Sequence, residues 1–248
     1  MTTAMVFDLE TVPDLARYAA AHGLTGQNEE VIRADLGDSF PKSIFHEIIC
    51  IGAVVAHSED HHWVVDAIGA PHVGDRTEKD LITAFVDKID ELRPRLISFA
   101  GHSFDLPVLR YRAMIHSVSA PGLTLRPYFH RFTSDCLDLC DELASFNFGA
   151  KVTLDELSKA MGFPGKPSGM NGADVETYFR AGRIEEIASY CETDVLNTYR
   201  IWLKYELFRG NLTKSAYEAS ENSVRDFIQS HSNAKLHLLM RSGEIDSP

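Results

Sequence analysis

The chain has 248 residues, 44% hydrophobic and 24% charged, a composition that builds one well-packed core and excludes a fibrous or low-complexity chain. Its 36 acids against 24 lysines and arginines give a formal charge of −12, which excludes broad electrostatic capture of DNA or RNA and confines any nucleic-acid site to a local patch. The N-terminus lacks a basic region followed by an apolar run, and no window reaches the length of a membrane span, so the expectation is a soluble, cytoplasmic protein with no membrane partner.

The first predicted element is a strand that contains VFDLET, residues 6–11. Alternation puts Met5, Phe7 and Leu9 on one face and Val6, Asp8 and Glu10 on the other, with the two carboxylates roughly 6.5 Å apart. Two neighbouring anions resist burial unless a cation or a basic side chain sits between them. Residues 14–45 are polar and partly helical and read as an insertion. Residues 48–56 and 61–69 read as two strands joined by the short turn HSED, a hairpin. Thr77 is an N-cap candidate for an amphipathic helix over 77–92. Residues 95–99 read as a buried strand, a helix follows from about 106, and a fifth strand is expected near SDCLDL. The second half is mainly helical and is interrupted by the loop GFPGKPSGMNG. Strands alternating with helices indicate an α/β sheet, and the hairpin makes it mixed.

Two later stretches carry chemistry. In LISFAGHSFDLPVLRYRA, a strand runs through a small-residue loop into a helix, with Pro107 in an early helical turn. Asp105 then either caps this helix or serves a site at the carboxyl ends of the strands, where ligands of open α/β sheets lie. In residues 184–205, Ile184, Ile187, Cys191, Val195, Thr198 and Trp202 recur at helical spacing. Tyr190 and Asp194 neighbour each other beside that stripe, their Cβ atoms about 6 Å apart. Taken alone, Asp194 reads as half of a structural salt bridge and Tyr190 as a core aromatic.

Strand D-x-E, F-D before a helix, and helical Y-x-x-x-D, in that order, resemble the DEDD superfamily of 3′-5′ exonucleases in its tyrosine branch. The resemblance is closest to predicted stand-alone exonucleases related to the proofreading domain of family B DNA polymerases. SFAGHSFDLPVLRYRA, GKPSGMNGADVETYF and YCETDVLNTY also look like that group, and the likeness spans about residues 5–204. It implies a ribonuclease H-like fold: a mixed five-stranded sheet with flanking helices, here over 1–207, followed by a helical extension at 208–248 with a disordered end. It also implies two divalent cations, Mg²⁺ or Mn²⁺, held by Asp8, Glu10, Asp105 and Asp194, with Asp8 bridging both and Tyr190 orienting the attacking water. The reaction would release nucleoside 5′-monophosphates from the 3′ ends of single-stranded nucleic acid, DNA favoured over RNA.

One position departs from that pattern. The family's second motif carries an asparagine five residues before its aspartate, where this chain has Ala100, and His102 and Ser103 are candidate replacement contacts. Leu9, Thr11 and Phe104 are candidates for gripping the terminal nucleotide, and Lys166 for reaching a phosphate. RPYFHRF, residues 126–132, interleaves basic and aromatic residues and reads either as a phosphate track or as a loop of partly buried aromatics. Asp135 and Asp138 are assigned to a strand-to-helix transition. Cys50, Cys136, Cys140 and Cys191 contain no CxxC pair and read as reduced thiols. An RNA exonuclease, and a non-catalytic ribonuclease H-like module that binds nucleic acid or protein, stay open as alternatives.

Overall fold

The structure is a computed structural model that describes residues 2–37, 39–165 and 170–231. Lys166 and the segment AKLHLLM with the end beyond it lie outside the described residues. β1 (Thr3–Pro13) follows the expected alternation. Met5, Phe7 and Leu9 pack into one core cluster, while Ala4 and Val6 pack into another on the opposite face. β2 (His46–Glu59) pairs antiparallel with β1, setting Gly52 opposite Asp8 and Cys50 opposite Glu10. The ladder slips by one residue between Glu10 and Thr11, a bulge of the kind that re-aims side chains beside active sites.

β3 (His62–Gly69) completes the hairpin. The turn is shorter than HSED: Asp60 and His61, at φ 43° and 67°, form it alone, in the left-handed geometry that matches strand twist. The strands therefore extend through residues that the polar composition of the turn assigns to a loop. β4 (Arg95–Ser98) runs parallel to β1, and β5 (Cys136–Asp138) parallel to β4. The order β3-β2-β1-β4-β5 is the mixed five-stranded ribonuclease H-like sheet that the sequence predicts.

Helices cover both faces. α1 (Leu15–Ala21), α2 (Glu29–Leu36) and a short 3-10 turn (Ser43–Phe45) form the insertion. α3 (Glu78–Leu92) starts from Thr77, whose side chain and that of Asp80 close a reciprocal capping box, satisfying two otherwise orphaned N–H groups. α4 (Asp105–Ile115), the one-turn α5 (Gly122–Leu125), α6 (Leu139–Leu143), α7 (Leu154–Ala160) and α8 (Val175–Arg180) follow. α9 (Ile184–Phe208) and α10 (Lys214–Ser230) end the described chain. Arg112 of α4, 2% exposed, donates to Asp14 at 2.6 Å and to both oxygens of Glu78 at 2.7 and 2.5 Å. Asp14 is the N-cap of α1 and Glu78 the first residue of α3, so one guanidinium fastens the insertion to the core.

α10 closes the outer edge of the sheet. The hydroxyls of Ser220 and Ser223 accept the N–H groups of Trp63 and Val65, each at 2.9 Å, and buried Glu221 pairs with Arg200 of α9 at 2.9 Å. Donors that would invite another strand are thereby satisfied within the chain. Among the described residues no helix is long and apolar enough to cross a membrane.

Candidate active site

The carboxyl half of β1 presents Asp8 and Glu10 to the face on which α9 lies. Close approach of that helix depends on Gly52, because a Cβ there would stand 2.6 Å from the Cys191 sulfur. The result is a tight group in which one donor atom each from Asp8, Glu10 and Cys191 lies within 4.8 Å of the others. Cys191 Sγ is 3.8 Å from Asp8 Oδ2. A hydrogen bond with Cys50, then burial, then the nearby charges of Asp8 and Glu10 raise the Cys191 thiol well above its usual range. The thiol is therefore neutral beside the acids in the metal-free protein, and the group offers two carboxylates and one sulfur.

One residue earlier on α9, Tyr190 is 3% exposed, and Asp194 one turn later is 6% exposed. Burial, followed by the charges of Asp194, Glu10 and Asp8, holds the Tyr190 phenol far above the ordinary tyrosine range, and its hydroxyl hydrogen-bonds Asp194. The charges of three carboxylates thus act on one phenol. Helical spacing sets the Tyr190–Asp194 pair, and strand alternation sets the Asp8–Glu10 pair.

Asp105 does not cap α4: Phe104 is the N-cap residue and makes no side-chain cap bond. The Asp105 carboxylate crosses instead to β1, where it accepts the Leu9 N–H at 3.0 Å. Burial pushes its carboxyl up to about 7, against the pull of the Leu9 N–H, and the charge of Asp138 adds to the rise. The loop before Asp105 is pinned by Asp138, at the end of β5. Its two oxygens accept the N–H groups of Ala100 and His102 at 2.9 and 3.0 Å, while it also caps α6 through Cys140 and Asp141. Asp138 is thus the strand-to-helix cap expected of it and a clamp on the Asp105 loop as well. Ala100 adopts φ 69°, a left-handed conformation that asparagine tolerates better than alanine.

A cleft of about 630 Å³ opens over these groups. It brings together seven of the residues singled out from sequence: Asp8, Leu9, Glu10, Thr11, Phe104, Tyr190 and Asp194. Asp105 lies behind this lining, against Leu9. His102 and Ser103 do not line the cleft, since the His102 N–H is held by Asp138 and the Ser103 hydroxyl donates to the Ala100 carbonyl at 2.8 Å. The opposite wall was not legible in the sequence. It comes from the insertion and its surroundings: Phe40, His46 and Arg33, with Glu176 of α8. Phe40, His46 and Phe104 form an aromatic trio with centroids 4.8 to 5.3 Å apart. Arg33 is engaged by Glu29 and Glu176. The available signal was the position of the insertion between β1 and β2, which does not say which of its residues turn inward. Cys191 carried a clearer one, being on the buried stripe beside Tyr190.

The hard oxygen donors of Asp8 and Glu10 on β1, close together with the Cys191 sulfur of α9 beside them and Asp194 lining the same cleft, fit a divalent cation. Residues 38–241 match a family model described as a predicted 3′-5′ exonuclease related to the exonuclease domain of PolB. No curated protein matches the chain. The matched span includes Asp105, Tyr190 and Asp194 and continues through α10, but it starts after β1, so Asp8 and Glu10 enter the site on the geometry of the sheet.

Proposed function

The chain belongs to the family of predicted 3′-5′ exonucleases related to the exonuclease domain of PolB, and within it we propose a metal-dependent enzyme of the tyrosine branch that shortens single-stranded DNA from its 3′ end. The observation that carries this reading is that Asp8 and Glu10, whose carboxylate oxygens lie within 4.8 Å of one another, line one cleft of about 630 Å³ together with Tyr190 and Asp194. Two divalent cations, Mg²⁺ or Mn²⁺, held by Asp8, Glu10, Asp105 and Asp194, would supply water activation and stabilisation of the leaving 3′-oxygen, giving nucleoside 5′-monophosphates.

The chain's own residues have defined tasks in this scheme. Asp8, central on β1, would hold both cations, Glu10 and Asp194 would complete the side where water is activated, and Asp105 would support the other. Tyr190, protonated at neutral pH, orients water through its hydroxyl and does not remove a proton. Leu9, Thr11 and Phe104 grip the terminal nucleotide from the cleft wall. Lys166 is proposed to reach a phosphate. With an acidic surface overall, release between cuts and strong sensitivity to salt are expected.

The test is digestion of 5′-labelled single-stranded DNA and matched RNA with Mn²⁺, Mg²⁺ or EDTA, beside the Asp8→Ala, Glu10→Ala variant. Ladders shortening from the 3′ end, abolished by EDTA and in the variant, support the enzyme, and the faster polymer fixes its substrate. Intact polymer in every metal, with binding retained, overturns catalysis and favours a binding module.

A further inference from the structure

A second surface, outside the cleft, joins two segments that the catalytic scheme does not use. Residues 126–134 and 143–154 contain Arg126, His130, Arg131 and Lys151 and no acid, while Asp135, Asp138, Asp141 and Glu142 lie between them. Within the first segment, Tyr128 is fully buried and bonds the Pro94 carbonyl at 2.6 Å, whereas Phe132 is 80% exposed. In the second, Phe148 is 87% exposed. Phe146 packs against Phe132 at 4.6 Å between centroids with the rings tilted by 57°, and the Arg131 guanidinium lies 5.8 Å from the centre of the Phe146 ring. The Lys151 ammonium is 5.9 Å from the ring of Phe148.

The presentation of these rings is built in. Phe132 and Phe146 both hold positive φ, 63° and 59°, a backbone state that bulky L-residues rarely adopt and that concentrates at functional sites. Arg131 and Lys151 converge on one buried carboxylate, Asp141, at 2.6 and 2.5 Å. Arg126 is paired with Asp135 at 2.6 Å, so the excess among these pairs is a single positive charge, from Arg131 and Lys151 over buried Asp141. Asp141 sits in the first turn of α6, three residues after Asp138, the clamp of the Asp105 loop. On the other side, Lys151 lies three residues before Leu154, which lines the cleft, a span of at most roughly 11 Å of chain.

We propose that Phe132, Phe146 and Phe148, with Arg131 and Lys151, form a platform that binds single-stranded nucleic acid some nucleotides away from the scissile end. Sequence-tolerant strand binding uses this combination of stacking rings and local positive charge. Positive charge on an otherwise acidic protein favours a polyanion over a protein partner. The proposal rests on the nucleic-acid reading of the cleft, and it gives an exonuclease that releases its polymer readily a means of holding long strands better than short ones.

The experiment measures anisotropy of 5′-labelled dT20 and dT4 in EDTA, where nothing is digested, for the parent, Phe132→Ala, Phe148→Ala, and a control, Met114→Ala, that removes an exposed side chain from α4. The parent is expected to prefer dT20 strongly. That preference should fall at least about tenfold in the double variant and persist in the control. An unchanged preference, or an equal fall in the control, overturns the platform. So does a parent dimer that becomes monomeric in the double variant with dT20 affinity unchanged, which would reassign the rings to self-association. Failure of the two ideas is separable. Binding of dT20 through Phe132 and Phe148 without digestion in any metal sinks the enzyme and keeps the platform, whereas digestion with binding independent of the two rings does the reverse.

Discussion

The Leu9 N–H donates to the Asp105 carboxylate at 3.0 Å, joining the strand that carries Asp8 and Glu10 to the first residue of α4, 96 positions away. One hydrogen bond thus ties the start of α4 to the strand that carries Asp8 and Glu10. It also places a carboxylate where burial raises its pKa to about 7.

The pH dependence of stability follows from that carboxylate. An unfolded aspartate titrates near 3.9. Between about pH 4 and 7 the folded state holds a proton that the unfolded state has lost, so stability falls as pH rises across this window, and the full deficit is present above it. Urea denaturation of the metal-free protein at pH 5 and pH 8 is expected to show the higher stability at pH 5, and Asp105→Asn should flatten the difference. Stability that rises with pH over this range in the parent would contradict the assignment.

Ionised Asp105 is also the form that a cation needs. Mn²⁺ should therefore raise the melting temperature more at pH 8 than at pH 5.5, since ligands must be deprotonated to bind. Asp8→Asn and Asp194→Asn should each abolish most of the shift, because removing one carboxylate leaves too few hard donors. Equal shifts at both pH values, or a full shift in Asp8→Asn, would remove these acids from the metal site.

Tyr190 gives a kinetic prediction. Its phenol is held protonated by burial and three carboxylate charges, so Tyr190→Phe removes a hydrogen bond and no titrating base. The expected result is a fall of about 10- to 100-fold in kcat, with the metal concentration for half-maximal activity little changed and the shape of the pH–rate profile preserved. Loss of an alkaline limb in the variant would show that the tyrosine titrates during turnover.

Much of this site was legible because short periods fix it. Alternation along β1 put Asp8 and Glu10 on one face, and helical spacing put Tyr190 beside Asp194. Asp105 was half legible: the sequence located it at the start of α4, but its choice of the Leu9 N–H over a cap depends on how closely β1 and α4 pack. The inward turn of Phe40 and His46, and the edge-closing bonds of Ser220 and Ser223, are long-range contacts with no periodic signature. Nor does sequence reveal that Phe132 and Phe146 sit at positive φ, since neither residue type favours it.

The edge closure has a direct cost when broken. Replacing Ser220 and Ser223 with alanine leaves the N–H groups of Trp63 and Val65 without the hydroxyls that accept them, at about 1 to 3 kcal/mol for each group kept from water. Lower stability in urea and concentration-dependent self-association through β3 are expected together. A variant that is destabilised yet stays monodisperse at high concentration would show that α10 blocks the edge by bulk alone.

Ala100 offers the sharpest comparison between stability and activity. Its φ of 69° costs an alanine roughly 1 kcal/mol relative to glycine, and its N–H is already committed to Asp138. Ala100→Gly should therefore stabilise the protein by up to about 1 kcal/mol, unless the added freedom of the unfolded chain offsets part of the gain. Ala100→Asn tolerates the same backbone and adds an amide where the family pattern has one. If that amide organises the substrate end of the site, the asparagine variant raises kcat/KM on single-stranded DNA and the glycine variant does not. Equal kinetics in the two would confine the consequence of position 100 to backbone strain, and would mean that the clamp of Asp138 on the Asp105 loop suffices without the amide.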